Sequence, residues 1–265
     1  MAGHDASSGL IELQVANGIA TLALNRPEVR NALDDATRDR LVEAIDRVTG
    51  DRSIRALVLT GNGKAFCAGG DIRAMKQRAQ APAGEVAFNG WARQQRTHKA
   101  VSALHAVPKP VIAAVNGPAT GLGADLAMCC DFVVASSAAS FAWNYVLRGL
   151  IPDGGGMYFL PRRVGLVRAK ELIFSGRTVQ ADEAIRLGIA DRLTAPESLL
   201  DDARAWAAEL AQGGAEAVAL AKSILDRSFE LAPEEVFAQG SQAQAILYTT
   251  ARHREAIAAF LGKGK

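Results

Sequence analysis

Cysteine, histidine and an excess of either charge are all scarce in this chain, and each scarcity removes a class of function. The three cysteines, Cys67, Cys129 and Cys130, are an odd number with two adjacent, which makes no disulfide framework. The four histidines, His4, His98, His105 and His253, show no metal-ligand spacing, and no zinc-type cysteine pair accompanies them. Thirty basic residues against 28 acidic ones give a net charge of +2. No basic block dominates, so charge gives no support for a nucleic-acid or membrane-surface partner. No apolar run approaches a membrane span, and the start "MAGHDASSG" has no apolar signal core; a reduced, cytoplasmic protein is expected. A Walker phosphate loop and a G-x-S-x-G elbow are missing as well.

What remains is an ordinary globular composition. Of 265 residues, 49% are hydrophobic, enough for a substantial core in one large domain or a domain with an appendage. Apolar runs at 11–15 and 19–24 flank Asn17-Gly18 and predict a β-hairpin. Asp34 or Asp35 can cap a helix whose apolar face is Leu41, Val42, Ile45 and Val48, stopped by Gly50. Short buried strands are predicted at 55–60, 111–115 and 132–135, with a further apolar piece at 140–143. Helices are predicted over 86–106, 168–175, 181–187, 199–212, 215–229 and 233–260. Strand and helix alternate first and helices gather last, which implies an α/β core with a helical tail. The alanine-rich stretch from about residue 200 reads as a packing or oligomerisation module.

Two of the strands run into loops of small residues, "GNGKAFCAGGD" and "NGPATGLGADLA", each leading toward a helix. Such loops expose backbone N–H groups where negative charge is favoured. The second has the look of a dinucleotide loop, but only Gly121 and Gly123 fit the G-x-G-x-x-G spacing. A third stretch, "GLIPDGGG" at 149–156, sets Asp153 between a proline and three glycines. By itself that is a turn with a helix-capping acid.

The segments "LNRPEVRNALD", "VLTGNGKAFCAGGDI", "KPVIAAVNGPATGLGADLAMCCDFVVAS" and "AIRLGIAD" occur in order. Together they resemble the enoyl-CoA hydratase/isomerase, or crotonase, family from about residue 10 to the end. The resemblance implies an α/β crotonase spiral of repeated ββα units over residues 1–199, carrying an acyl-CoA site. It implies a C-terminal helical trimerisation region over 200–265, with self-association as a trimer or a dimer of trimers. The substrate would be an acyl-CoA thioester, coenzyme A being part of the substrate, with no separate cofactor, no metal, no nucleic acid and no membrane partner.

The family resemblance also implies site residues. The backbone N–H groups of Gly70 and Leu122 would form an oxyanion hole for the thioester carbonyl, because proton loss beside that carbonyl places negative charge on its oxygen. Ala68, Gly70, Asp71 and Ile72 would line the CoA path, and Gly121 would be among the residues that bind the substrate or its CoA. Phe260 and Lys263 would meet the nucleotide end, with Lys263 acting as a point charge on phosphate.

Hydratases of the family use two glutamates about one water; here Asp125 and Tyr145 occupy those places, which puts the usual water addition in doubt. Asp153 stands where some isomerases of the family carry their working carboxylate. "GLIPDGGG" followed by "LPRRVG" is similar to the branch acting on 2-(1,2-epoxyphenyl)acetyl-CoA. A single carboxylate suffices for a 1,3-proton shift, and an apolar pocket would strengthen it as a base. An isomerase is therefore expected, with Asp153 as base and Asp125 as second acid or helix cap. The alternatives are a hydratase, an aryl-CoA dehalogenase using Asp153 as nucleophile with His98 nearby, and a member that only binds. Tyr145 would line the pocket or donate a hydrogen bond. Trp91 and Trp143 are candidate acyl-pocket walls or core residues.

Overall fold

The computed structural model describes residues 9–71, 73, 76 and 80–262. Strands β1 (Ile11–Ala16) and β2 (Ile19–Leu24) pair antiparallel. Asn17 and Gly18 turn between them with φ of 52° and 77°, the left-handed pair whose twist matches a two-residue hairpin. Helix α1 (Asp35–Gly50) follows, and its cap is Asp34, whose carboxylate accepts the Thr37 N–H at 2.8 Å.

Seven more strands complete two sheets: β3 (Ala56–Gly61), β4 (Val111–Val115), β5 (Pro118–Thr120), β6 (Phe132–Ser136), β7 (Ser140–Ala142), β8 (Thr178–Gln180) and β9 (Arg192–Thr194). The larger sheet has the order β1-β2-β3-β4-β6-β9 and is parallel from β2 onward. The smaller has the order β5-β7-β8. Helix α2 (Ala83–His105) lies beside α1, and its Leu104 is fully buried. Consecutive strands β4 and β5 serve different sheets before helix α3 (Leu122–Cys129), and β6 and β7 repeat the step. Cys67, following β3, adds a single bridge to Ala119 in the smaller sheet. Successive windings of the chain therefore touch both sheets before turning into helix.

The central strands are apolar throughout because both faces are covered. Leu57, Leu59, Val111, Ala113 and Val115 pack into the main core. The alternate positions Ala56, Val58, Ile112 and Ala114 pack against Leu199, Ala203 and Ala207 of a C-terminal helix. The chain continues through α4 (Gly156–Val164), α5 (Leu166–Ser175), α6 (Ala181–Leu187), α7 (Leu199–Leu210), α8 (Ala215–Leu225), α9 (Pro233–Tyr248) and α10 (Ala251–Gly262).

Three features depart from the sequence expectations. Helix α4 is absent from them, because it starts at Gly155-Gly156 and holds Pro161, residues of poor helix propensity. The single helix expected over 233–260 is two helices. Thr249 and Thr250 divide it: their hydroxyls donate to the Ile246 and Leu247 carbonyls at 2.7 and 2.8 Å, and the Thr250 hydroxyl accepts the His253 N–H at 3.2 Å. Such side-chain bonds compete with the helical ladder. Strands β5, β8 and β9, of three residues each, are too short to carry a periodic signal.

Candidate active site

The loop after β3 is pinned by Asn31, whose Nδ2 donates to the carbonyls of Asn62, Ala65 and Phe66 at 3.0, 2.8 and 3.2 Å. Its amides are nearly all committed. Cys67 donates to Pro118, Ala68 to Arg30 and Asp71 to Leu33, at 3.2, 2.9 and 3.1 Å. Gly69 donates to the Cys67 sulfur at 3.4 Å. Among the described residues, Gly70 is the one amide of 67–71 left without an acceptor.

The second loop holds the same pattern. Thr120 donates to the Cys67 carbonyl at 2.9 Å and Gly121 to the Ala142 carbonyl at 2.8 Å. Leu122 then opens α3, so its N–H is one of the first-turn donors that a helix leaves unpaired. The two loops touch. A Cβ on Gly69, where φ is +92°, would lie 2.7 Å from the Thr120 carbonyl oxygen and 3.3 Å from the Leu122 nitrogen. Two uncommitted N–H groups, those of Gly70 and Leu122, therefore occupy neighbouring loops.

Asp125 lies in the first turn of α3 and is fully buried. Trp143 Nε1 donates to its Oδ1 at 3.0 Å and the Tyr145 hydroxyl donates to its Oδ2 at 2.6 Å. The Gly154 backbone N–H also faces this carboxylate and helps to hold its pKa down. Gly154 and Gly156 are glycine because the loop rests on that carboxylate: added Cβ atoms would come within 2.7 and 2.3 Å of its oxygens. Burial pushes the Asp125 carboxyl up to about 7; the Asp153 charge adds to this, while the three donors oppose it. Burial and the Asp125 carboxylate together push the Tyr145 phenol well above its ordinary range. Tyr145 is thus a donor at neutral pH, and its ring packs over Gly121, 3.6 Å from a Cβ placed there.

Asp153 keeps its side chain 20% exposed. The apolar surroundings expected for it are replaced by polar groups of α2. Arg93 Nη2 lies 3.2 Å from its Oδ2, the Gln94 amide contacts the same oxygen, and His98 Nε2 lies 3.0 Å from its backbone carbonyl. Sequence reasoning singled out His98 on this helix but neither Arg93 nor Gln94. Nothing in their spacing distinguishes them from solvated helix residues.

The other expected site residues divide. The Asp71 carboxylate is engaged by Arg26 at 3.4 Å and by the Arg73 N–H at 2.9 Å. The Ala68 amide is spent on Arg30, leaving only its carbonyl for a ligand. Phe260 is 77% exposed on α10. Ile72 and Lys263 lie outside the described residues. Trp143 is core and holds Asp125, whereas Trp91 is exposed. A cavity of about 580 Å³ is lined by His105, Cys129, Cys130, Phe159, Lys222 and Leu225, and neither Asp125 nor Asp153 borders it. Among the described residues no cluster of His, Cys, Asp and Glu could hold a metal, and no helix is long and apolar enough to cross a membrane.

Comparison with known proteins identifies the family of the chain. The enoyl-CoA hydratase/isomerase family model matches residues 14–265. The crotonyl-CoA hydratase of Syntrophomonas wolfei is 35% identical over 256 residues, covering 96% of both chains. The 1,2-epoxyphenylacetyl-CoA isomerase of Escherichia coli is 35% identical over 249 residues, covering 94% of both. The crystal structure of an enoyl-CoA hydratase/isomerase from Cupriavidus metallidurans superposes with a TM-score of 0.90 at 35% identity, covering 98% of this chain and 96% of that one. The spiral of two-sheet windings is the crotonase fold, and the chain belongs to the enoyl-CoA hydratase/isomerase family.

Proposed function

We propose that this chain is an acyl-CoA isomerase that moves a double bond by a proton shift through Asp153. The thioester oxygen would lie between the N–H groups of Gly70 and Leu122, the two amides that the loops leave uncommitted. Loss of a proton beside the thioester carbonyl gives an enolate, and two preorganised donors stabilise the charge that develops on oxygen. Asp153 takes the proton from one carbon and returns it two carbons away.

One observation carries the choice of isomerase. Asp125 is fully buried with both oxygens bonded, and Asp153 keeps an exposed part. Water addition needs an acid and a base about one water; this pair of aspartates offers one accessible carboxylate. Hydratase is the second reading, favoured by the name of the Syntrophomonas relative and by the Tyr145–Asp125 pair, whose hydroxyl could orient a water. The test is a set of 2-enoyl- and 3-enoyl-CoA thioesters incubated in heavy water and read by mass spectrometry. A shifted double bond with incorporated deuterium supports the isomerase. Added water without a shift replaces it with the hydratase.

Two companion readings rest on the same family placement. Coenzyme A would run past Ala68 and Asp71, with Ile72, Phe260 and Lys263 completing its path. Residues from about 200 onward would form the oligomerisation region of a trimer or dimer of trimers. In its support, Phe229, Phe237, Tyr248 and Phe260 expose 78%, 69%, 58% and 77% of their surface on or beside the last helices. Light scattering at micromolar concentration checks it, and a monomer would refute it.

A further inference from the structure

Three groups of one helix meet one residue of the site. Arg93, Gln94 and His98 of α2 all contact Asp153, the first two at its carboxylate and the third at its backbone carbonyl. Their chemistry differs. Arg93 is a permanent donor and favours the charged form of a carboxyl group. A group that removes a proton and returns it spends part of every turnover as the carboxylic acid, whose O–H needs an acceptor. Trp143 and Tyr145 are donors engaged with Asp125.

Of the two side chains at the Asp153 carboxylate, Gln94 alone carries both functions. Its Nε2 contacts Asp153 Oδ2, while its Oε1 is buried and, among the described residues, has no hydrogen-bond partner. An orphaned buried acceptor costs free energy, so its retention beside a titrating acid calls for a reason. A primary amide presents donor and acceptor at almost the same positions, and half a turn about its last torsion exchanges them.

We infer that Gln94 is a positioning residue for Asp153 that supplies Nε2–H to the carboxylate and, after rotation, Oε1 to the carboxylic acid, so that the base stays in place while it carries the proton. The bonds balance without a further reactant. The C–H bond beside the thioester breaks and an Asp153 O–H bond forms; that O–H then breaks as the new C–H bond forms, and Gln94 gains and loses nothing. This inference rests on the isomerase reading, in which Asp153 is the proton carrier.

The test uses 3-hexenoyl-CoA and follows its conversion to the 2-enoyl isomer with full-length Gln94→Met, Gln94→Glu and Asp153→Asn, each checked by thermal melting. Gln94→Met keeps the length and removes both donor and acceptor. It is expected to lower kcat by about 10- to 100-fold, the scale of one hydrogen bond to a charged group, with KM changed less than about threefold. Gln94→Glu sets a second acid against Asp153 and should move the acid limb of the pH–rate profile upward by about one unit or more. A residue that only propped the loop would change melting and KM together in Gln94→Met and leave kcat near its wild-type value. Wild-type kcat in Gln94→Met, or an unmoved acid limb in Gln94→Glu, overturns the inference while leaving the isomerase reading intact, provided Asp153→Asn is inactive. An active Asp153→Asn overturns both. If Gln94→Met fails to fold, Gln94→Leu, which likewise removes donor and acceptor, decides by the same split of kcat against KM.

Discussion

Tyr145 donates its hydroxyl to Asp125 across 2.6 Å, tying the segment after β7 to the first turn of α3. The pair occupies the places at which the family resemblance sets a hydratase's two glutamates. Here it is an internal bond: the acid is sealed from solvent and the phenol is turned toward it. Trp143 donates to the other oxygen of the same carboxylate. Asp125 thereby works as a fixed anchor for three elements: α3, the segment after β7 and the glycine loop of Asp153.

Removing the phenol tests the anchor. Tyr145→Phe leaves the buried Asp125 with one fewer donor, and that hydroxyl is one of the groups holding its pKa down. The variant should be less stable by about 1–3 kcal/mol, the cost of an unsatisfied buried acceptor. Denaturant melts at pH 7 check this. If the hydroxyl also orients a water, hydration of a 2-enoyl-CoA will fall more steeply than isomerisation does.

The same carboxyl predicts how stability follows pH. Its folded value is raised from 3.8 to about 7, so the native state keeps a proton that the unfolded chain has already released. Its contribution is fully present below the unfolded value and is lost as pH rises toward 7 and past it. The loss is on the order of 4 kcal/mol, from a shift of about three units. Asp125→Asn removes this titration. The stability difference between the wild type and the variant should therefore change steadily from about pH 4 to about pH 8 and be flat above. A constant difference across that range would contradict the burial argument.

Glycine requirements in the loop give a sharper steric test. A Cβ on Gly154 would lie 2.3 Å from a Leu122 methyl and 2.7 Å from Asp125 Oδ2, so Gly154→Ala must push the loop off α3. It should cost about 1–3 kcal/mol of stability and lower turnover, because the displaced residue adjoins Asp153 and rests on Leu122. Gly90 on α2 has nothing within 4 Å of such a Cβ. Gly90→Ala should therefore melt no lower than the parent and gain up to about 1 kcal/mol from helix propensity.

Particular residues show how much of this was legible in the sequence. The hairpin at Asn17-Gly18 and the buried runs of β3 and β4 carry local signals, turn chemistry and unbroken apolarity, and both appear as expected. Gly70, Leu122, Asp125 and Asp153 could be named from motif order. What sequence could not convey is which of them faces outward. The burial of Asp125 depends on Trp143 and Gly154, which meet it only once the smaller sheet and the glycine loop are folded. Arg93 and Gln94 are farther still from prediction. They reach Asp153 across 60 and 59 positions of chain, and on a helix a half-buried arginine has the same local pattern as an exposed one. Helix α4 was hidden because tertiary contacts, such as the burial of Leu160, hold a segment that propensity disfavours.

The last prediction separates the two carboxylates by chemistry. Asp153→Asn keeps size and most hydrogen-bonding capacity and removes the base; Asp125→Asn removes a carboxyl that substrate cannot reach. General acid–base catalysis is worth about 10²–10⁴-fold, so Asp153→Asn should lose isomerase turnover on that scale. Binding of a saturated acyl-CoA should change little, since the amides of Gly70 and Leu122 remain. The arginine beside Asp153 sharpens the expectation. With the carboxylate gone, Arg93 loses its partner at 3.2 Å, and the site gains an uncompensated positive charge. That charge attracts a small anion, so in Asp153→Gly, which also vacates the space of the side chain, residual proton exchange should rise when formate is added as an external base. Asp125→Asn should lose less turnover and show no such rescue. Measuring deuterium uptake beside the thioester carbonyl, with and without formate, distinguishes them: near-normal exchange in Asp153→Asn with none in Asp125→Asn, and no formate rescue of Asp153→Gly, would place the proton carrier on α3 instead of in the glycine loop.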